Sequence, residues 1–397
     1  MRPPDSVEVL VVGAGPAGSE FARRLAAAGR EVLLVEKRPE IGNPVRCAEA
    51  VERDPLVRVC GEPPPECVAS PIHGAVGHAP DGRRVVYETE EVVGLTLNRR
   101  LFDRWLAGRA AAAGAEVLTR TRLVGLERPD DDWRVVLRRG GEQHELRSRL
   151  VVAADGVEGS TLRRAGIGKP WVSKRMHSGV QARVVGLPRR EPPLIELHLG
   201  RERFPGGYGW CFPLGGDRAN IGLCLEPPLG VDEELRGRLE AFLARSYPGA
   251  RPVEFVAGTI PALDKPRRIV ADGLLALGDA AGHAEPFSGG GIANALQGAA
   301  VAAEVAVTAL DGGNVAEDSL RPYVENWNAG VGRSLRRYAK LRRFYLSLKD
   351  RDFNDALELL ERQLERWRTG KRSSVLSLLT SVVTSSPRLL LKARHLL

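Results

Sequence analysis

Residues 7–37 read VEVLVVGAGPAGSEFARRLAAAGREVLLVEK, and the fold turns on them. An apolar run enters a glycine-rich turn. A helical pattern follows, stopped at Gly29, and a second apolar run closes on Glu36 and Lys37. That order predicts a strand, a helix and a second strand. Gly13, Gly15 and Gly18, with Ala14, Pro16 and Ala17 between them, complete GxGxxG. The first glycine permits the tight turn, the second lets a pyrophosphate approach the backbone, and the third lets helix and strand pack closely. The helix start offers free N–H groups and a partial positive charge to phosphates. Glu36 is placed for ribose hydroxyls, and an acid there disfavours a 2′-phosphate. A dinucleotide is expected, and the motif by itself does not separate FAD from NAD.

Two later stretches separate them. RLVVAADG (149–156) ends a strand on Asp155 and Gly156. GLLALGDAAGHAEPFSGGGIANALQGAA (273–300) ends another on Gly278 and Asp279, then runs through Pro286, Gly289, Gly290 and Gly291 into a helix opened by Ile292. A carboxylate at a strand end suits a polyol hydroxyl. A glycine-opened helix suits a flavin edge that turns negative on reduction. NRRLFDRWLAGRAAAAGAEV (98–117) adds an RxxFD pattern beginning at Arg99. Four motifs in this order resemble the glutathione-reductase-like FAD proteins of the aromatic hydroxylase branch. The resemblance implies FAD as cofactor.

Between the Asp155 and Asp279 strands the pattern changes to longer alternating strands (SGVQARVV, LIELHL, GWCFPL, ANIGLCLE), interrupted by one helix over DEELRGRLEAFLARSYPG. The expected fold is α/β, with an FAD-binding Rossmann domain from residues 1–70, 95–170 and 264–310. An antiparallel substrate sheet from 71–94 and 171–263 is inserted in it, and a helical region over 311–397 follows. No second GxGxxG occurs, so electrons are expected from an external donor, NAD(P)H or a ferredoxin-like protein.

Composition narrows the setting. The chain has 397 residues, 43% hydrophobic and 27% charged, which reads as globular. Asp5 and Glu8 stand where a signal peptide would be uncharged. The stretch LQGAAVAAEVAVTAL, broken by Glu304, reads as too short to span a bilayer. Five cysteines without a CxxC pair argue against a disulfide framework or a structural zinc, so no metal site is expected. A cytoplasmic protein is expected. Of 58 Lys/Arg and 50 Asp/Glu, 16 and 6 fall from Val331 onward, so the tail is net +10 and the remainder −2. VGRSLRRYAKLRRFYLSLKD and the apolar, basic-punctuated SVLSLLTSVVTSSPRLLLKARHLL suit an anionic membrane surface as well as a solvated helical cap. Nothing in the tail resembles a nucleic-acid-recognition motif.

Aromatic residues make up only 5% of the chain, yet PGGYGWCFP (205–213) places Tyr208, Trp210 and Phe212 at alternate positions, on one face of a strand. This fits PxxYxWxFP, and with EKRPEIGNPVRCAEAV (36–51) it resembles the geranylgeranyl reductase family. The resemblance implies reduction of isolated C=C bonds in prenyl diphosphates, prenylated glycerolipids or prenylated quinones. It also implies cofactor contacts at Arg46 and Cys47 and a substrate pocket at Tyr208, Trp210 and Phe212. Such an alkene lacks a carbonyl to draw in a hydride, so a proton must join the less substituted carbon while hydride reaches the other. Aromatic faces stabilise the developing positive charge by about 0.5–2 kcal/mol per ring. Cys47, Tyr208 and Trp210 are therefore the candidate catalytic residues. The ordinary alternatives are aromatic packing in a sheet core and an inert thiol. His177, His198 and His283 are further acids on paper, with His283 reading as a solvated loop residue. Two other activities fit the same pattern: a flavin monooxygenase, and a flavoprotein relaying electrons to a membrane quinone.

Overall fold

A computed structural model describes residues 3–167, 176–226, 233–261, 267–368 and 387–392. Most of the final apolar, basic stretch lies outside them. The strand Ser6–Val12 is buried along nearly its whole length, as a central parallel strand flanked on both faces must be. It pairs in parallel with Val32–Val35 on one side and with Glu142–Ala153 on the other. Glu142–Ala153 pairs onward with Leu274–Ala276, so the strands that end near Asp155 and Asp279 lie side by side. The helices Pro16–Ala27 and Ile292–Asp311 pack on this sheet around a core of Val, Leu and Ala side chains.

The apolar stretch read as too short for a bilayer is part of that second helix, which is 20 residues long. By length and composition it is apolar enough to cross a membrane. Its Ala-rich face is instead packed into the core, with Ala295, Ala299, Ala302, Ala303 and Ala306 buried.

The second sheet has seven strands, in the order Arg251–Pro261, Met176–Val185, Ala219–Leu225, Tyr208–Pro213, Ile195–His198, Gly74–His78, Arg84–Glu88. It is antiparallel except where Ile195–His198 runs parallel to Gly74–His78, a departure from the expected all-antiparallel sheet. The helix Glu233–Ser246 covers one face through Leu235, Leu239, Phe242 and Leu243. On this face Glu196 meets His78 at 2.7 Å and accepts from the Tyr247 hydroxyl at 3.1 Å, and His198 Nε2 lies 2.7 Å from that hydroxyl. A three-stranded sheet of Ala50–Glu52, Gly94–Leu97 and Val68–Ile72, unforeseen in the sequence, lies apart from both. After the core helix come Glu317–Ala329, Val331–Leu346 and Asp350–Arg368; Leu357 and Leu364 of the last cover the outer strands at Ala79 and Val85.

Candidate active site

The glycines of the first turn divide by what surrounds them. A Cβ on Gly13, at φ +109°, would lie 2.4 Å from the Ala154 carbonyl oxygen, and one on Gly18 would lie 2.0 Å from that of Gly13. Both positions exclude a side chain. Gly15 is the opposite case: nothing lies within 4 Å of its Cβ direction. That open space sits over the start of Pro16–Ala27, whose first turn has Pro16 at its head, no side-chain cap and no acidic residue. Glu36 accepts from the Ala14 N–H at 3.2 Å and the Arg38 N–H at 2.9 Å, so the acid is fixed beside the turn. Lys37 is ion-paired with Glu158.

The two aspartates differ. One Asp155 oxygen is consumed in capping the short helix Ser160–Arg164, accepting from the Ser160 hydroxyl, the Thr161 N–H and the Thr161 hydroxyl at 2.8–3.0 Å. Its other oxygen is buried without a partner among the described residues. Gly156 follows at φ +67°. The carboxylate of Asp279, beside Gly278 at φ +59°, accepts no hydrogen bond from the described residues. Burial pushes its carboxyl up, opposed by the Arg99 guanidinium. Arg99 is held by Asp103 in a two-pronged pair at 2.8 and 2.9 Å. The loop from Pro286 to Gly291 is shaped by Glu285, whose carboxylate accepts from the N–H groups of Phe287 and Ser288. Gly289 has φ +77°, and Gly291 opens the helix at Ile292 with no side-chain cap or first-turn acid. An open cradle at Gly15, two uncapped helix starts and a half-buried carboxylate short of donors fit the pyrophosphate, polyol and ring edge of FAD.

The face of the seven-stranded sheet turned away from its covering helix forms the other wall. Register sets its side chains in rows: Gly258, Gly179, Cys224, Tyr208; then Val256, Gln181, Gly222, Trp210, Leu197; then Glu254, Arg183, Asn220, Phe212. Trp210 lies across Gly222, where a Cβ would come within 2.4 Å of the indole. Trp210 and Phe212 stack at 6.1 Å, and Tyr208 tilts onto Trp210 at 5.9 Å. The Tyr208 hydroxyl donates to the Ser288 carbonyl, which ties the aromatic strand to the glycine loop, and burial raises its phenol well above the ordinary value. At Gly179 and Gly258 a Cβ would meet only ordinary van der Waals contacts, at 3.8–3.9 Å for Gly179 and with Arg46 Cβ at 3.7 Å for Gly258. The result is a glycine-floored, aromatic-walled surface facing the cradle.

Cys47 sits at the joint between the two walls. Its thiol is half-buried and pushed up by burial against the pull of Arg99. Gln181 Nε2 donates to its carbonyl at 2.9 Å, and Ala48 and Ala50 pack on the aromatic cluster. Two residues on, Glu49 is 1% exposed yet accepts from the Arg99 N–H, Arg183 Nη2 at 2.7 Å and Asn220 Nδ2 at 2.8 Å. Sequence reading missed Glu49, Gln181, Arg183 and Asn220, because their partners lie far along the chain. It also misread His283. This side chain is 1% exposed and stacked on Trp327 at 3.9 Å; Nδ1 accepts from the Gly278 N–H at 3.2 Å and Nε2 lies 3.1 Å from the Tyr323 hydroxyl. Burial pushes its pKa down to about 3, so it is a neutral core residue and neither solvated nor an acid. His198 belongs to the helix-covered face, away from Trp210.

A family model described as the geranylgeranyl reductase catalytic domain matches residues 175–260, one for an FAD binding domain matches 72–206, and one for an NAD(P)-binding Rossmann-like domain matches 11–59. The digeranylgeranylglycerophospholipid reductase of Methanothrix thermoacetophila is 36% identical over 400 residues, spanning 98% of this chain and 99% of its own. That of Methanocaldococcus jannaschii is 35% identical, spanning 91% and 92%. A geranylgeranyl bacteriochlorophyll reductase-like structure from Thermoplasma acidophilum superposes with a TM-score of 0.89 at 27% identity, covering 99% of this chain and 100% of that one. A flavin-dependent brominase superposes at 0.70 with 16% identity, over 96% of this chain and all of its own; that likeness is one of fold alone.

Proposed function

Because the chain belongs to the geranylgeranyl reductase family, as an FAD-dependent oxidoreductase of prenyl chains, we propose that its substrate is a geranylgeranyl glycerophospholipid. The observation that carries this is the surface over Gly179 and Gly258, walled by Tyr208 and by Trp210 seated on Gly222, and facing the cofactor cradle. Bound FAD, when reduced, supplies two electrons and one hydrogen to carbon. The chain's residues do the rest. The first-turn N–H groups after Gly15 and the Glu36 carboxylate hold the dinucleotide end, while Asp279 and the Gly289–Gly291 turn hold the flavin end. Tyr208, Trp210 and Phe212 exclude water and lay electron-rich faces along the alkene, stabilising positive charge at its more substituted carbon. Net reaction adds two hydrogens across one C=C bond and consumes one proton. Cys47 borders this surface with its proton retained, in keeping with a weak acid or a shape-setting thiol. An external donor, NAD(P)H or a ferredoxin-like protein, renews the electrons.

We further propose that the protein works at the cytoplasmic face of a membrane. Helix Val331–Leu346 supports this with Arg333, Arg337 and Arg343 exposed beside Tyr338. The test is mass spectrometry after anaerobic incubation of dithionite-reduced holoprotein with geranylgeranyl diphosphate, a prenylated menaquinone and a geranylgeranylated glycerophospholipid. Gains of two mass units or multiples, greatest with the glycerophospholipid, are expected. A gain of sixteen units on admitting air, with no gain of two, would refute the reading.

A further inference from the structure

One polar cluster at the edge of the site takes no part in holding the cofactor segment. His177 opens the strand Met176–Val185 on the side of Gly179 and Gln181. It is 6% exposed, with Nε2 lacking a partner among the described residues. Its row adjoins that of Gly179, Cys224 and Tyr208, about 7 Å along the strands. Ser178 pairs with Leu225, so the next position across from His177 is Glu226. Arg342 reaches in from helix Val331–Leu346, its Nη2 3.4 Å from Glu226 and its Nε buried without a partner among the described residues. That pair is longer than the 2.7–2.9 Å of a close charge-assisted bond. Tyr345 fixes the helix here, donating to the Gly207 carbonyl at 2.6 Å with its ring 5.4 Å from Phe287 of the glycine loop.

Two buried nitrogens from different elements thus stand unpaired at one end of the substrate surface. Such groups are costly to leave unsatisfied, and the cost is removed when a ligand supplies the partner. The helix that delivers Arg342 is basic, carrying Arg333, Arg336, Arg337, Lys340 and Arg343 and no acidic residue, with Glu226 and Glu285 among the carboxylates on the elements it faces. Burial and Arg342 hold His177 neutral, its pKa pushed down to about 3, so at neutral pH its ring carries a single N–H, which a ligand oxygen at Nε2 would accept in the Nε2–H tautomer. The geometry of a prenyl lipid explains why a polar site belongs this close to Tyr208. The double bond nearest the head lies one carbon from the head-group oxygen, so reducing it brings the head alongside the aromatic strand.

We propose that His177 and Arg342 form a head-group subsite that takes a phosphate oxygen of the prenyl substrate, with Glu226 releasing Arg342 to it. The proposal rests on the prenyl-lipid reading above. The test compares reduced holoprotein acting on digeranylgeranylglyceryl phosphate and on the same lipid without its phosphate. The phosphate form is expected to have a KM lower by about ten-fold, at similar kcat. Arg342→Met and His177→Phe are expected to raise that KM toward the value for the phosphate-free lipid, whose own KM stays unchanged. Arg342→Lys restores part of the difference. Geranylgeranyl diphosphate, run alongside, separates a free diphosphate head from a glycerophosphate head by which KM Arg342→Met raises. Equal KM values for the two lipids in the parent protein, or a variant that shifts both alike, overturns the proposal. Independently, inorganic pyrophosphate added to the oxidised holoprotein is expected to move the His177 ring signals in nitrogen-edited NMR; unmoved signals overturn it. If neither lipid is reduced, the prenyl reading fails, and the pyrophosphate titration alone decides the subsite.

Discussion

The two faces of the seven-stranded sheet share one backbone and differ in what they leave unfinished. On the helix-covered face Val180, Ala182, Val184, Ile221, Leu223 and Leu225 meet Leu235, Leu239 and Phe242, an apolar contact that closes on itself. On the other face His177, Gln181, Arg183, Trp210 and Asn220 each keep a buried nitrogen or oxygen without a partner; on the helix-covered face no described strand residue does. A folded chain tolerates such groups where something outside it completes them. Stability and ligand binding are thus assigned to alternate residues of the same strands, and substitutions one position apart are expected to fail differently.

The largest expected effect is on the closed face. Leu223→Ala removes a side chain that is 1% exposed, and large-to-small changes in such a core cost about 2–5 kcal/mol. Denaturant unfolding is expected to show that loss, while the fraction still folded keeps its kcat and KM. Gly222→Val, one residue earlier, is the mirror image. Its Cβ would lie 2.4 Å from the Trp210 indole and 2.6 Å from Gln181 Cβ, so the ring must leave its seat. Misplacing a wall of the site is expected to lower turnover on the order of 100-fold, with flavin absorbance and stoichiometry kept. Loss of FAD in Gly222→Val, or a kinetic defect in folded Leu223→Ala, would break the division.

What could be read beforehand follows the same line. The GxGxxG turn, the strand ends at Asp155 and Asp279, the triple glycine and the alternating aromatics are each encoded within a few residues, because one local backbone shape demands them. The second layer is encoded by pairs that meet only after folding. Gln181 and Cys47 are 134 positions apart, and Asn220 and Glu49 are 171 apart. No local pattern marks Glu49, whose φ of +73° appears only with the structure. His283 misled for a related reason: its loop is polar and glycine-rich, and the Trp327 that covers it comes from a helix more than forty residues on. The three-stranded sheet escaped because its members come from three separated short segments.

Acid sharpens the comparison by a smaller amount. His177 on the open face and His198 on the closed face are both pushed down to about 3, chiefly by burial. An unfolded histidine binds its proton near pH 6.5. Between about 6.5 and 3 the unfolded chain therefore holds protons that the folded one lacks, and stability falls as pH drops through that window. Each histidine contributes a slope of up to about 1.4 kcal/mol per pH unit. Denaturation midpoints taken from pH 7 to 5 are expected to fall less steeply in His177→Asn and in His198→Asn than in the parent. Only the His177 share is expected to shrink when inorganic pyrophosphate is present. A pyrophosphate effect on the His198 share would place the ligand elsewhere.

The finest contrast sets one tryptophan against another. Trp133, in the dinucleotide-binding half, donates its indole N–H to the Gly273 carbonyl at 2.8 Å; Trp210 is as deeply buried and its indole nitrogen has no partner among the described residues. Replacing either by Phe removes the same atoms. At Trp133 that bond is lost while the Gly273 carbonyl keeps its other one, from the Val151 N–H at 2.9 Å, so besides the lost packing stability is expected to drop by about 0.5–1.5 kcal/mol with kinetics unchanged. At Trp210 there is no bond to lose. The relief of an unpaired donor offsets the lost packing, so stability in the absence of substrate is expected to stay within about 1 kcal/mol of the parent. The cost appears on binding instead: if the indole N–H is completed by ligand or by a water the ligand traps, KM rises by a few-fold at constant unfolding midpoint. A Trp210→Phe protein that loses stability like Trp133→Phe and binds substrate normally would mean that the open face is only a second core, and that the unpaired atoms on it say nothing about a ligand.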